Sequence, residues 1–187
     1  MKAMGTLRQP ALVTYQEFMS GIHDHEIYGR SEYWDGEIVE KGMPVDLHGA
    51  LQAQLSAELV FYFRRQPIGT AMSDLHCIFE PGRRVLVPDI AVVLGQHRMA
   101  GGPLPRPPDM AIEILSPDDR ASRIARKIEY YLSHGVRMVW LLDPEIRRVW
   151  VHKPGQHAVG PDGTLSGEDV LPGLEIPVAR LFPAVSE

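Results

Sequence analysis

The chain has 187 residues, one cysteine (Cys77) and a formal net charge of −5 at pH 7. This length suits one domain with its own core, and a single thiol excludes a disulfide framework or a multi-thiolate metal centre within one chain. The acidic balance argues against a broadly basic nucleic-acid surface and leaves room only for a local cleft. Apolar content of 44% and charged content of 23% are ordinary for a globular protein. No apolar leader opens the N-terminus and no apolar run is long enough to cross a bilayer. With the lone cysteine, that places the expected location in the cytoplasm.

In chain order, VTYQEFMSGI (13–22) predicts a short helix with Thr14 as its cap. SEYWDGEIVEKG holds Asp35-Gly36 between strand-like arms, a hairpin signal. DLHGALQAQLSAELVFYFRRQ carries Leu47, Leu51, Leu55, Leu59 and Phe63 at every fourth residue, an amphipathic helix stopped by Pro67 and Gly69. Residues 70–80 and 84–94 read as a strand pair around the turn EPGRR. GGPLPRPP is a loop leading into the strand DMAIEILS. Pro117, Asp118 and Asp119 then open a helix that ends near Gly135. VRMVWLLD and RRVWVHK form a second hairpin around Asp143-Pro144-Glu145-Ile146. The strand–helix–strand from 109 to 143 predicts a parallel crossover near the sheet centre. The whole order predicts an α/β fold, a mixed central sheet flanked by helices. It is read as one domain over 1–187, with a core of about 12–153 and a tail, 154–187, packed on it.

Charges in the wrong places carry the functional signal. In VLVPDIAVV, the residues Val87, Asp89, Ala91 and Val93 share a face; in MAIEILS, Ala111, Glu113 and Leu115 share one. Each strand is apolar on both sides except for one acid. A buried carboxylate must be neutralised, paired or bound to a metal. On the following helix, Ile124, Ile128 and Tyr131 form the inward stripe and Lys127 lies on its edge, beside Arg120, Arg123 and Arg126. Two readings stand at this point. Glu113 and Lys127 can be a structural ion pair, with Asp89 serving a strand-start turn and Lys127 snorkelling to the surface. Alternatively, Asp89 and Glu113 hold a hard divalent cation, and Lys127 orients or deprotonates a water. The three arginines read equally as phosphate contacts or as a solvated helix face.

The run VPDIAVV … PPDMAIEILSPDDR … RKIEYYLSHGVRMVWLLDP resembles the Uma2 endonuclease family, a branch of the PD-(D/E)XK nuclease superfamily. The resemblance reaches upstream to WDGEIVEKGMPVDLHGALQAQL and downstream to LPGLEIPVARLF. It implies a restriction-endonuclease-like fold and phosphodiester hydrolysis assisted by Mg²⁺ or Mn²⁺, with DNA as the substrate. Asp89 matches the aspartate of the motif and Glu113 its second acid. The superfamily lysine falls two residues later, where this chain has Leu115, and Lys127 takes its place. The carbonyl of Ile114 is implied as a metal ligand, and Glu37 and His48 match further family positions that line the site. The family often carries an acid near Arg123. A homodimer is expected because duplex cleavage needs two cuts. The rival expectation is the same fold with silent chemistry, serving as a binding module or structural dimer.

Overall fold

The structure is a computed structural model that describes residues 12–22, 30–41, 46–96, 101–117, 119–153 and 157–182. Its elements run α1 (Tyr15–Gly21), β1 (Ser31–Trp34), β2 (Glu37–Glu40), α2 (Asp46–Arg65), β3 (Gly69–Ser73), β4 (Cys77–Glu80), β5 (Arg84–Leu86) and β6 (Ile90–Leu94). They continue with β7 (Met110–Ile114), α3 (Ala121–Ser133), β8 (Met138–Asp143), β9 (Arg148–His152), β10 (His157–Val159), β11 (Thr164–Ser166), β12 (Glu175–Pro177) and α4 (Val178–Leu181). A six-stranded sheet has the order β10-β9-β8-β7-β6-β3, a four-stranded sheet β2-β1-β5-β4, and β11-β12 form a ribbon. The fold is mixed α/β, and β7 and β8 are the parallel pair at its centre, joined through α3.

Strand periodicity decides which helix meets which face. Ile90, Val92, Met110 and Ile112 point to one side of the six-stranded sheet and pack with Leu51, Leu55 and Leu59 of α2. Ala91, Val93 and Ala111 point to the other and pack with Ile128 and Tyr131 of α3. The four-stranded sheet covers α3 from outside through Trp34 and Phe79, so α3 lies between two sheets. Its opposite face carries Tyr33 and Val85 against Phe18 of α1. The tail joins the α2 side through Leu165, Ile176, Val178 and Phe182. No helix of the described residues is long and apolar enough to cross a membrane.

Three local expectations need correction. The runs 70–80 and 84–94 do not form one pair; each breaks in the middle. β4 pairs with β5 in the small sheet, while β3 pairs with β6 in the large one. Pro88 supplies no amide hydrogen to continue a ladder, and Asp74 adopts φ 49°, outside strand geometry. The two breaks touch, since the amide of Asp74 donates to the carbonyl of Asp89 at 3.1 Å. Second, α3 starts at Ala121 and not at the acidic pair. The Asp119 carboxylate instead accepts the Ser116 amide at 2.8 Å, and Asp118 lies outside the described residues. Third, Leu47 is exposed, and the buried side of α2 is His48, Leu51, Leu55, Leu59, Tyr62 and Phe63.

The remaining signals coincide with elements. Asp35 (φ 49°) and Gly36 (φ 98°) form the two-residue turn between β1 and β2. Thr14 and Glu17 form a capping box on α1. Gly135, at φ 92°, follows the end of α3, where a side chain would be strained.

Candidate active site

The link from β5 to β6, Val87-Pro88-Asp89, is where the two sheets meet, and buried charges converge on it. Glu32 comes from β1, Asp89 from the link itself, Glu113 from β7, Lys127 from α3 and His48 from the first turn of α2; all five are buried. Lys41, just after β2, reaches in from the edge. Together with Ser116, Arg30 and Arg123 they line a cavity of about 310 Å³.

Lys127 is the centre of one half of the network. Its Nζ lies 2.6 Å from Glu32 Oε1 and 2.8 Å from Glu113 Oε1, and it donates to the carbonyl of Val87 at 3.3 Å. Glu32 is pinned further by the Val87 amide (3.0 Å) and by Trp34 Nε1 (3.1 Å). The Tyr131 hydroxyl donates to Glu113 Oε1 at 2.7 Å. In the other half, Asp89 Oδ1 receives Lys41 Nζ at 2.5 Å, and Oδ2 receives the backbone amide of Ile114 at 2.7 Å. Lys41 also donates to the carbonyl of Val87 at 3.0 Å. Both lysines therefore hold the same peptide group, which fixes the link between the acids.

The electrostatics follow from burial and from unequal sharing. Burial alone would raise both glutamates. For Glu32 it is outweighed by the Lys127 charge and by the hydrogen bonds from Lys127 and Val87, and its carboxyl stays below the usual range. For Glu113 burial prevails over Lys127, with the nearby Asp89 charge adding to it, and the carboxyl is pushed up to about 6. Burial also works against the Asp89 carboxylate, but Lys41 and His48 hold it well below the usual range. Lys127 stays charged, because two carboxylates outweigh its desolvation. Burial and the adjacent glutamates keep the Tyr131 hydroxyl protonated, so it acts as a donor. The buried carboxylates Glu32, Asp89 and Glu113 thus meet two ammonium groups, Lys41 and Lys127, with Arg30 and Arg123 on the same lining.

His48 closes the far wall. Its Nδ1 is 3.0 Å from Ser116 Oγ, and Nε2 faces Asp89 Oδ1 at 3.4 Å while making no hydrogen bond among the described residues. Cys77 is buried nearby with its thiol pushed up by burial, so it is no nucleophile. Among the described residues no group of three or more His, Cys, Asp or Glu side chains is arranged to hold a metal ion. Five carboxylates line the cavity, Glu32, Glu40, Asp89, Glu113 and Asp119, of which Glu32, Asp89 and Glu113 are buried; Asp89 on the β5–β6 link and Glu113 on β7 lie side by side, since Asp89 accepts the amide of Ile114.

The structure thus brings Asp89, Glu113, Ile114, Lys127 and His48 to one cavity. Arg123 lines it too, whereas Arg126 stacks on the Trp34 ring at 4.8 Å. Glu37 is not there. The tight turn sets it opposite Trp34 on the edge strand β2, exposed, in a separate hollow with Arg84 and Arg126. Sequence reasoning missed Glu32 and Lys41. For Glu32 a signal existed: in SEYW it shares a face with Trp34, so a buried tryptophan implied a buried acid. For Lys41 there was none, because its partner Asp89 is 48 residues away and met only through the fold.

The model of the Uma2 family, described as "Putative restriction endonuclease", matches residues 23–179. Among solved structures, the chain is similar to a protein described as a putative nuclease belonging to DUF820 from Anabaena variabilis. The two are 31% identical and superpose with a TM-score of 0.74, over 91% of this chain and 97% of that one. No curated protein matches.

Proposed function

The chain belongs to the Uma2 family, described as putative restriction endonucleases, and from that premise we propose that it is a divalent-metal-dependent endonuclease hydrolysing phosphodiester bonds in DNA. The observation that carries this reading is the pair Asp89 and Glu113, buried on one cavity wall beside a charged Lys127. Burying such a set is costly unless a cation completes it.

The residues fit a hard cation. Mg²⁺ and Mn²⁺ prefer oxygen donors, and Mg²⁺ commonly takes one or two protein carboxylates and keeps waters for the rest. Asp89 and Glu113 would hold the ion, and the carbonyl of Ile114, on the same wall, would add a ligand. His48 Nε2, 3.4 Å from Asp89 Oδ1, faces the same space. When bound, such an ion polarises a phosphoryl oxygen and lowers the pKa of a water.

The chain's own residues supply the rest. Lys127 stays protonated beside its two glutamates, so it acts as a fixed positive charge that offsets negative charge on the phosphate, its three N–H groups being held by Glu32, Glu113 and the Val87 carbonyl. Glu32 fixes the ammonium in place. Arg123 at the rim is free of ion pairs among the described residues and is placed for a flanking phosphate.

One observation favours silent chemistry instead: the Lys41 ammonium already neutralises Asp89. A single assay separates the two readings. Supercoiled plasmid is incubated with Mn²⁺ or Mg²⁺ and either the wild-type protein or Asp89→Ala. Nicking by the wild type alone, stopped by a chelator, is the expected result. Equal nicking by both would remove the site, and no nicking by either would leave a binding module.

A further inference from the structure

We propose that the outward face of α2 is a self-association surface, on which a second copy of this chain packs its own α2 antiparallel. The helix is apolar on the side where it meets solvent. Its exposed positions are Asp46, Leu47, Ala50, Ala53, Ala57, Val60, Phe61, Arg64 and Arg65. Leu47, Val60 and Phe61 are 37%, 43% and 57% exposed. From Leu47 to Phe61 none of the exposed residues is charged or polar. The charged residue in that span, Glu58, is half-buried and paired with Arg180 at 2.7 Å. A solvated helix face is ordinarily polar and laced with charge, and large apolar residues grouped on one outer face mark a contact surface.

The spacing says what kind of contact. Asp46, Ala50, Ala53, Ala57, Val60 and Arg64 follow one another at intervals of four and three. That is the heptad seam of a left-handed helix pair crossing at about 20°. Leu47 and Phe61 flank the seam. Small residues at its middle let two axes approach closely.

The pattern is complementary to itself in one direction only. Reversing α2 about its midpoint sets Asp46 against Arg64, Ala50 against Val60 and Ala53 against Ala57. Opposite charges meet at both ends, and each valine falls on an alanine. A parallel pair would set Asp46 on Asp46 and Arg64 on Arg64. Among the described residues Asp46 and Arg64 make no ion pair within the chain, and the Arg64 guanidinium lies over the Phe61 ring at 5.9 Å. Such a twofold match, in which residue i meets j and j meets i, is what an isologous dimer requires, so the occupant is a second copy. The inference is independent of the chemistry proposed for the cavity.

Sedimentation equilibrium of the full chain tests it. The wild type is expected at twice the chain mass of 20.9 kDa. Asp46→Arg and Arg64→Asp alone place like charges together and should each raise the dissociation constant by about tenfold or more. The Asp46→Arg/Arg64→Asp double variant reverses both ends and should restore wild-type association. Circular dichroism confirms that each variant keeps its helix. A monomeric wild type, single variants that dimerise as well as the wild type, or a double variant that stays weak would each overturn the proposal.

Discussion

Glu113→Gln is expected to abolish plasmid cleavage while leaving the fold intact. The amide keeps the side chain's volume and can still accept the Tyr131 hydroxyl. Lys127 keeps Glu32 at 2.6 Å, so no buried ammonium is stranded. The charge removed is one that burial already disfavours, as the carboxyl is pushed up to about 6. Stability should therefore hold or rise slightly. Cleavage should fall by at least 10²–10³-fold, roughly the loss seen when one transition-state electrostatic stabiliser is removed. Initial nicking rates and thermal unfolding of the same preparation give both numbers. A variant that still cuts would mean Glu113 is not a ligand. A variant that is inactive because it unfolds would mean its role is structural.

Lys127→Ala is expected to behave in the opposite way, losing stability as well as activity. The ammonium separates two buried carboxylates that otherwise share it, at 2.6 and 2.8 Å. Removing it leaves Glu32 and Glu113 facing each other without compensation. Breaking a buried pair by deleting one partner typically costs about 3–5 kcal/mol, a large share of a domain's stability of about 5–15 kcal/mol. Urea unfolding measures the loss. Pairing Lys127→Met with Glu32→Gln removes a positive and a negative charge together and should recover much of the stability, with cleavage still absent. A Lys127→Ala variant as stable as the wild type would show that the network is open to water and not a buried ion cluster.

How far the sequence was legible depended on the range of the interaction. The β1–β2 hairpin, α2 and the β7–α3–β8 crossover were written in local periodicity and turn residues, and they formed as expected except that α3 begins later, at Ala121. Glu113 was legible because a charge inside a strand that is apolar on both faces has few bland explanations. The breaks at Asp74 and at Pro88 left a trace in the sequence, Ser73-Asp74 in one run and Pro88-Asp89 in the other, but nothing local tells which sheet each half will join. The competition between two sheets decides that. Glu32 and Lys41 escaped for the same reason: each is defined by a partner 95 or 48 residues away. Glu37 sat beside the right turn but on the edge strand. A hairpin's sequence does not tell which of its acids the rest of the chain will cover.

Calorimetric titration of Mn²⁺ into the protein tests the central claim, that Asp89 and Glu113 form a cation site. At about pH 7.5, on the order of one ion per chain should bind. Glu113 takes a proton as the pH falls through about 6, and a protonated carboxyl is a poor ligand, so binding should weaken sharply by roughly pH 5. Asp89→Ala should abolish it at either pH. No heat of binding at the higher pH, or binding that survives both the acid and the Asp89→Ala substitution, would contradict the account.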